Sequence, residues 1–281
     1  MGKLFLVATP IGNLNDMSPR AVAALQEADL IAAEDTRNTI RLLNHFDIKT
    51  PMTSYHEYNR IEKAQELIDK MHSGLDVALV TDAGMPAISD PGEDLVRMSY
   101  DSGIEVTIVP GPCAAVSALA ISGLPTGRFV FEGFLPNDKN KKEREARLEE
   151  LKNETRTIIL YEAPHRLKKT LKILTDTFGS GRPASAVREL TKVYEEVDKS
   201  TLGELLGKYE NEEPRGEFVI VIEGRNPREI IDEERSRWDD ITIREHVKRY
   251  MDEGFDKKEA MKKVASDRGI GKREVYKECT D

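Results

Sequence analysis

Short apolar runs alternate with stretches of helical periodicity from the beginning of the chain. The apolar runs predict four strands, at residues 4–8, 30–33, 77–81 and 105–109. Helices are predicted between them, from Ser18-Pro19, over residues 36–46 and 60–72, and after Asp90-Pro91-Gly92. Because the runs lack polar alternation, both faces of the sheet should be covered, as is typical of parallel strands. The pattern predicts an N-terminal α/β domain over residues 1–124.

The alternation restarts after a charged helix that is predicted at residues 138–152. Further strands are predicted at residues 157–161, 184–187, 192–198 and 217–223, with helices at residues 164–178 and from Thr201. These elements predict a second α/β domain over residues 125–234, with a parallel or a mixed sheet. Residues 224–235 are rich in charge and are interpreted as a linker.

The last segment, residues 235–281, holds 13 Lys plus Arg against 11 Asp plus Glu, whereas the remainder holds 29 against 40. Helices are predicted at residues 243–251, 257–267 and 272–277, the last two separated by Gly269-Ile270-Gly271. This spacing resembles a helix-turn-helix whose last helix would present Lys272, Arg273 and Lys277 to phosphates. A helical docking or dimerisation appendage fits the same spacing equally well.

Composition excludes several classes of protein. The net charge of −9, from 42 basic and 51 acidic residues, argues against capture of nucleic acid by the whole surface. Cys113 and Cys279 do not form a metal-binding or disulfide pattern, so no metal is predicted. No apolar stretch approaches the ~20 residues that a membrane span needs. The N-terminus lacks a secretion signal, so we expect a cytoplasmic protein without a membrane partner.

Four loops rich in Gly, Pro and small residues directly follow predicted strands, at residues 9–13, 82–86, 110–115 and 162–166. Open α/β sheets bind ligands at the carboxyl ends of their strands, so four such loops predict a cleft. Neither a phosphate-binding P-loop nor a Gly-x-Gly-x-x-Gly fingerprint is present. The neutral loops therefore favour a zwitterionic or cationic small molecule over a pyrophosphate.

Five motifs in order carry a resemblance to a known family. They are Leu-Val-Ala-Thr-Pro-Ile-Gly-Asn-Leu at 6–14, Ala-Glu-Asp-Thr-Arg at 33–37, Thr-Asp-Ala-Gly-Met-Pro-Ala-Ile-Ser-Asp-Pro-Gly at 81–92, Val-Pro-Gly-Pro-Cys-Ala at 109–114 and Tyr-Glu-Ala-Pro-His-Arg at 161–166. Together they resemble the bacterial 16S ribosomal RNA cytidine 2′-O-methyltransferases of the tetrapyrrole methylase superfamily, and the resemblance spans essentially the whole chain. It implies two α/β domains with S-adenosylmethionine in the cleft between them, a homodimer, and methyl transfer to a cytidine ribose in the decoding region of the small ribosomal subunit.

The resemblance also implies which residues contact the cofactor. Carried over by position, they are Pro10, Ile11, Gly12, Asp82, Ala83, Gly84, Met85, Ile88, Cys113, Ala114, Leu160, Tyr161 and Ala186. Cys113 stands where many relatives have Ser, a difference that matters little if the contact is made by backbone atoms.

A ribose hydroxyl is a weak nucleophile, so methyl transfer calls for a proton acceptor at the cleft. Asp35 follows a predicted strand beside Glu34 and is one candidate base, although it is also placed to cap the following helix. His165 is a second candidate. Lys192 is a third, on condition that burial lowers its pKa; an exposed cation is the alternative.

Substrate contacts are expected from polar residues around the same strand ends. They are Glu34, Arg37, Arg41, His56, Arg166 and Arg188. His56 lies in the segment 55–59, whose aromatic and polar groups suit either the reading of an unpaired base or an ordinary loop.

Two other functions remain compatible with the sequence. The same fold and cofactor serve tetrapyrrole methyltransferases acting on a porphyrinogen or precorrin, although the tail and the motif at 33–37 speak against this. The chain is also compatible with a non-catalytic RNA-binding ribosome-assembly factor that retains the cleft.

Overall fold

A computed structural model describes residues 1–280 of the chain. Its first sheet has five strands: β1 (Lys3–Val7), β2 (Leu30–Ala33), β3 (Met52–Ser54), β4 (Val77–Val80) and β5 (Glu105–Val109). They lie in the order β3-β2-β4-β1-β5 and every pairing is parallel. The helices are α1 (Pro19–Glu27), α2 (Thr36–His45), α3 (Arg60–His72), α4 (Glu93–Asp101) and α5 (Ala114–Ile121).

Both faces of the sheet are buried along the inner strands β2 and β4, as the unbroken apolar runs predict. Along β4, Val77 and Leu79 pack on one face with Leu67 of α3. Ala78 and Val80 belong to a second cluster on the opposite face, which includes residues of α1 and α2. Because period-two alternation sends successive side chains to opposite faces, a strand covered on both sides must be apolar throughout. The predicted parallel sheet is confirmed.

The second sheet is mixed. It contains β6 (Phe129–Phe134), β7 (Thr157–Glu162), β8 (Pro183–Arg188), β9 (Glu196–Thr201) and β10 (Phe218–Ile222), in the order β6-β7-β10-β8-β9. Only β6 and β7 are parallel, and the other pairs are antiparallel. Its helices are α6 (Lys141–Leu151), α7 (Pro164–Phe178) and α8 (Leu202–Asn211). Residues 1–149 and 157–223, which hold both sheets, form one compact unit.

One predicted strand is wrong in position. Residues 192–198 were expected to be extended, but β9 begins at Glu196. The preceding segment is a turn in which Glu189 and Thr191 adopt left-handed backbone angles and the Lys192 amide donates to the Glu189 carbonyl at 2.9 Å. Apolar Val193 and Tyr194 gave the segment a strand-like sequence, although both are exposed.

The second unit combines residues 150–156 with the chain from residue 224 onward. It contains α9 (Pro227–Ser236), α10 (Ile243–Asp252), α11 (Lys257–Arg268) and α12 (Lys272–Thr280). The predicted linker at residues 224–235 is therefore mostly helical: the Asn226 side chain caps α9 and Pro227 occupies its first turn. Apolar side chains from α10, α11 and α12 form a small core.

Two absences hold for the described part of the chain. None of its helices combines the length and the apolar character that crossing a membrane requires. No group of three or more His, Cys, Asp or Glu side chains within it is arranged to hold a metal ion.

Candidate active site

A cavity of about 420 Å³ lies where strand ends of the two sheets face each other. The first sheet contributes Ile11 after β1, the loop 83–90 after β4, and Cys113 with Ala114 after β5. The second sheet contributes the end of β6, residues 161–164, the segment after β8 and the beginning of β10. All four loops predicted to form a cleft line this cavity.

The first two loops are tied together by their backbones. The Thr9 amide donates to the Gly84 carbonyl at 2.9 Å, and the Gly84 amide donates back to the Thr9 carbonyl at 3.1 Å. Gly84 has a φ of +87°, and a Cβ there would lie 3.3 Å from the Ile11 side chain. Only glycine combines this backbone angle with so close an approach, which explains its place in the cavity wall.

A phenol connects the two sheets across the cavity. The Ala115 amide at the start of α5 donates to the hydroxyl oxygen of Tyr161 at 3.1 Å. The Tyr161 ring makes edge contacts with Phe131 and Phe134. Burial, with the nearby Cys113 and Asp90 groups, raises the pKa of Tyr161 to about 12, so the phenol stays neutral.

The charged groups in the cavity wall are all acidic. Asp90, Glu162 and Glu217 line it, and no Lys, Arg or His of the described residues does so. Most of the other lining side chains are apolar. Buried Glu162 accepts hydrogen bonds from the Ala163 amide and the Thr170 hydroxyl. An apolar cavity whose only charges are carboxylates fits a ligand with positive charge and disfavours a pyrophosphate.

Asp90 is a site residue that the sequence analysis missed. It is half-buried, and burial, followed by the like charges of Glu34 and Asp82, raises its pKa to about 7. A hydrogen bond with the Thr81 hydroxyl opposes this shift, and the same hydroxyl also lies 2.6 Å from a Glu34 carboxylate oxygen. In the sequence Asp90 lies in the motif at 81–92, directly before Pro91-Gly92. Its proximity to Glu34 follows from the pairing of β2 with β4, which no local motif reveals.

Asp35 lies outside the cavity wall and caps α2. Its carboxylate accepts from the Arg37 amide at 2.9 Å and from both the Nε and Nη2 atoms of Arg37. Hydrogen bonds from the Arg37 side chain and backbone hold the pKa of Asp35 near 2. A carboxylate with so low a pKa is a weak proton acceptor, so the geometry favours the helix-capping alternative.

Lys192 does not meet the condition under which it was considered as a base. Burial favours a lower pKa, but hydrogen bonds to Glu217 at 2.9 Å and Glu189 at 3.0 Å outweigh it and raise the pKa of Lys192. That condition is therefore not met, because two carboxylates stabilise the ammonium form, and the alternative of a charged cation is favoured. The side chain packs against Gly12, where a Cβ would lie 2.5 Å from its Cγ.

The two predicted site residues of the loop at 162–166, His165 and Arg166, are placed differently. His165 is exposed in the first turn of α7. Arg166 is turned toward the protein: it donates to the Leu135 carbonyl at 2.7 Å and pairs with buried Glu162 at 3.3 Å. Its guanidinium therefore joins the ends of β6 and β7 and is less available to phosphates than predicted.

The remaining predicted substrate residues differ in exposure and in their partners. Arg37 and Arg41 are exposed on α2, and Arg188 pairs with Glu196 at 3.0 Å. The His56 amide donates to the Asn59 side chain, and neighbouring Tyr58 is 98% exposed. Glu34 is half-buried against Thr81.

The structure brings most of the predicted cofactor residues to the lining of this cavity. Those that line the cavity are Ile11, Ala83, Gly84, Met85, Ile88, Cys113, Ala114 and Tyr161. Pro10, Gly12 and Asp82 are their chain neighbours, and Leu160 and Ala186 are buried within β7 and β8. Phe134 and Glu217 also line the cavity and were not predicted.

Two β-sheets flanked by helices, with a cavity at their strand ends, are typical of α/β proteins that bind small molecules. Residues 3–206 match the family described as Tetrapyrrole (Corrin/Porphyrin) Methylases. The chain therefore belongs to the tetrapyrrole methylase family, in the group whose members are named ribosomal RNA small subunit methyltransferase I.

Two relatives illustrate that similarity. The protein of that name from Bacillus subtilis is 48% identical over 276 residues, which cover 98% of this chain and 93% of the relative. The protein of the same name from Halalkalibacterium halodurans is 50% identical over 275 residues, again 98% of this chain and 93% of the relative.

Solved structures show the same fold at lower identity. A uroporphyrin-III-C-methyltransferase from Thermus thermophilus has a TM-score of 0.57 and 20% identity, and the match covers 79% of this chain and 94% of that one. A diphthine synthase has a TM-score of 0.62 and 15% identity, covering 80% and 91%.

Proposed function

We propose that this protein is an S-adenosylmethionine-dependent methyltransferase that modifies the ribose 2′-hydroxyl of a cytidine in the decoding region of 16S ribosomal RNA. The observation that carries the proposal is the extent of the similarity. Relatives named for ribosomal RNA are 48% and 50% identical over 98% of the chain, tail included. The tetrapyrrole enzyme from Thermus thermophilus covers 79% at 20% identity, which supports the common fold and not a common substrate.

The cavity fits the proposed cofactor in charge and in lining. S-adenosylmethionine supplies an electrophilic methyl group on a positively charged sulfur. Backbone groups of the loops at Ile11, Gly84 and Ala114 would hold it beside the apolar wall, and the Asp90 carboxylate favours its positive charge. The neutral Tyr161 phenol, already bound to Ala115, fixes the position of one sheet's strand end against the other.

The tail is proposed to contact RNA phosphates. Lys272, Arg273 and Lys277 are exposed on α12, and Gly269 ends α11 in a left-handed conformation, as a tight turn between two helices requires.

We further propose that the domains of the chain divide at residues 124 and 234. We also propose that the protein forms a homodimer and that it acts in the cytoplasm, where small subunits assemble.

The proposal is tested with small ribosomal subunits from cells that lack this protein. Purified protein and radiolabelled S-adenosylmethionine should place label on a single cytidine ribose in the decoding region, mapped by its resistance to alkaline cleavage. A porphyrinogen panel is run in parallel. Label in a porphyrinogen with none in RNA overturns the proposal, and so does tight binding of S-adenosylmethionine without any transfer to subunits.

A further inference from the structure

Methyl transfer to a hydroxyl requires a group that takes the hydroxyl proton, and the described cavity wall offers five titratable side chains. They are Asp90, Cys113, Tyr161, Glu162 and Glu217. A suitable acceptor is ionised near neutral pH and is free of hydrogen-bonded cations.

Four of these groups are unsuited to the task. Glu162 is occupied by Arg166, Thr170 and a backbone amide. The Glu217 side chain is 79% exposed and paired with Lys192. Tyr161 keeps its proton, because burial first and nearby groups second raise its pKa to about 12. Cys113 carries a thiol, whose soft sulfur is better suited to attacking carbon than to accepting a proton.

We infer that Asp90 accepts the proton of the acceptor hydroxyl, an inference that rests on the proposed function. Asp90 lines the cavity from the loop between β4 and α4. Among the described residues, no Lys, Arg or His forms an ion pair with its carboxylate.

The loop that carries Asp90 has an unusual backbone. Ala87 and Ser89 both adopt left-handed angles, at φ +66° and +62°, which are unfavourable for residues other than glycine. Gly92 follows at φ +146°, where a Cβ would lie 2.9 Å from the side chains of Ala87 and Leu79. Strained backbone persists only where the surroundings enforce it, and it clusters at functional sites. The loop conformation that places Asp90 at the cavity is therefore maintained at a cost in conformational energy.

The titratable groups that face Asp90 come from three elements. Glu34 extends from the end of β2, Asp82 from the end of β4, and the Tyr161 phenol from β7. Burial first, and the two carboxylates second, raise the pKa of Asp90 to about 7. An acceptor whose pKa lies near the working pH is ionised in part and still basic enough to take a proton.

The transfer balances in atoms and charge. The hydroxyl oxygen forms a bond to the methyl carbon and loses its proton to a carboxylate oxygen of Asp90. The electron pair of the broken carbon–sulfur bond stays on the sulfur of the donor, which leaves as a neutral thioether. Asp90 then returns its proton to solvent through its exposed side.

The test compares the wild-type protein with Asp90→Asn and with Glu93→Gln, the same acid-to-amide change on an exposed residue of α4. Single-turnover methylation of unmodified small subunits is measured across the pH range around neutrality. We expect Asp90→Asn to lower the rate by about 100-fold or more. The wild-type rate should rise with unit slope up to about pH 7, whereas the residual rate of Asp90→Asn should lack this rise. Affinity for S-adenosylhomocysteine, measured by calorimetry, should change by less than about 3-fold, which also shows that the variant is folded.

A second readout needs no methyl donor. Carbon-13 NMR of the aspartate carboxyls in the protein alone should show one group that titrates near neutrality and disappears in Asp90→Asn. An Asp90→Asn rate within about 3-fold of wild type, a loss of rate matched by an equal loss of S-adenosylhomocysteine affinity, or the absence of such a carboxyl overturns the inference alone. Wild-type protein that does not methylate subunits overturns the proposed function and this inference with it.

Discussion

Replacing Asp90 by Asn should stabilise the folded protein at alkaline pH. Asp90 is half-buried and faces Glu34 and Asp82, so its ionised form is disfavoured in the folded state and not in the unfolded chain. Asn has nearly the same shape and carries no charge. The variant should therefore lose the electrostatic penalty while keeping the contacts of the loop.

The magnitude follows from the pKa. A rise from 3.8 to about 7 is about three units, and each unit corresponds to ~1.36 kcal/mol for a group wholly withdrawn from solvent. Asp90 is partly solvated, so we discount the resulting ~4 kcal/mol to about 1–2 kcal/mol. Because the folded-state pKa is the higher one, the penalty is absent below about pH 4, grows up to about pH 7, and is complete above it.

Urea unfolding at about pH 5 and about pH 8 measures this difference. The free energy of unfolding of Asp90→Asn should exceed that of the wild type by about 1–2 kcal/mol at the higher pH and by less than half as much at the lower. The control variant Glu93→Gln should show no such dependence on pH. A gain that is equal at both values, or a loss of stability at pH 8, would refute the assignment of the raised pKa to Asp90.

Three further perturbations test other parts of the site. Gly84→Ala should weaken S-adenosylhomocysteine binding by about 10-fold or more in calorimetry. The control Gly179→Ala has a similar backbone angle, but no atom lies near the added Cβ; it should lower the free energy of unfolding by about 1 kcal/mol and leave affinity intact. Asp35→Asn should keep single-turnover methylation within a few-fold, because Asn also caps helices; a loss of about 100-fold would restore Asp35 as the base. Deleting residues 235–281 should reduce methylation of subunits and its dependence on salt while S-adenosylhomocysteine affinity stays within about 3-fold; equal loss of both would contradict a role for the tail in RNA binding.

The sequence predicts the features that depend on spacing along the chain. Uninterrupted apolar runs such as 30–33 reveal strands that are covered on both faces, and small residues after these strands reveal the loops of the cavity. The helix at Pro227–Ser236 was not predicted, because most of its residues are charged and none of them is buried.

Features that depend on contacts between distant strands were not predicted. The raised pKa of Lys192 depends in part on Glu217, 25 residues away, and that of Asp90 depends on burial and on Glu34 at the end of a different strand. Neither neighbour can be found by periodicity, because strand order, and not spacing, brings these charges together. For this reason the sequence predicts the cleft but does not indicate Asp90 as a candidate base.

The absence of basic side chains from the described cavity wall has a consequence for turnover. In the proposed reaction the donor arrives with a positive charge that the carboxylates attract, and its sulfur leaves the chemical step neutral. If Asp90 takes the hydroxyl proton, its own negative charge disappears in the same step, so the attraction between donor and wall ends when the methyl group has moved. In the proposed reaction the cavity would therefore bind the charged donor more tightly than the neutral thioether, and the methyl transfer itself would favour release of the product.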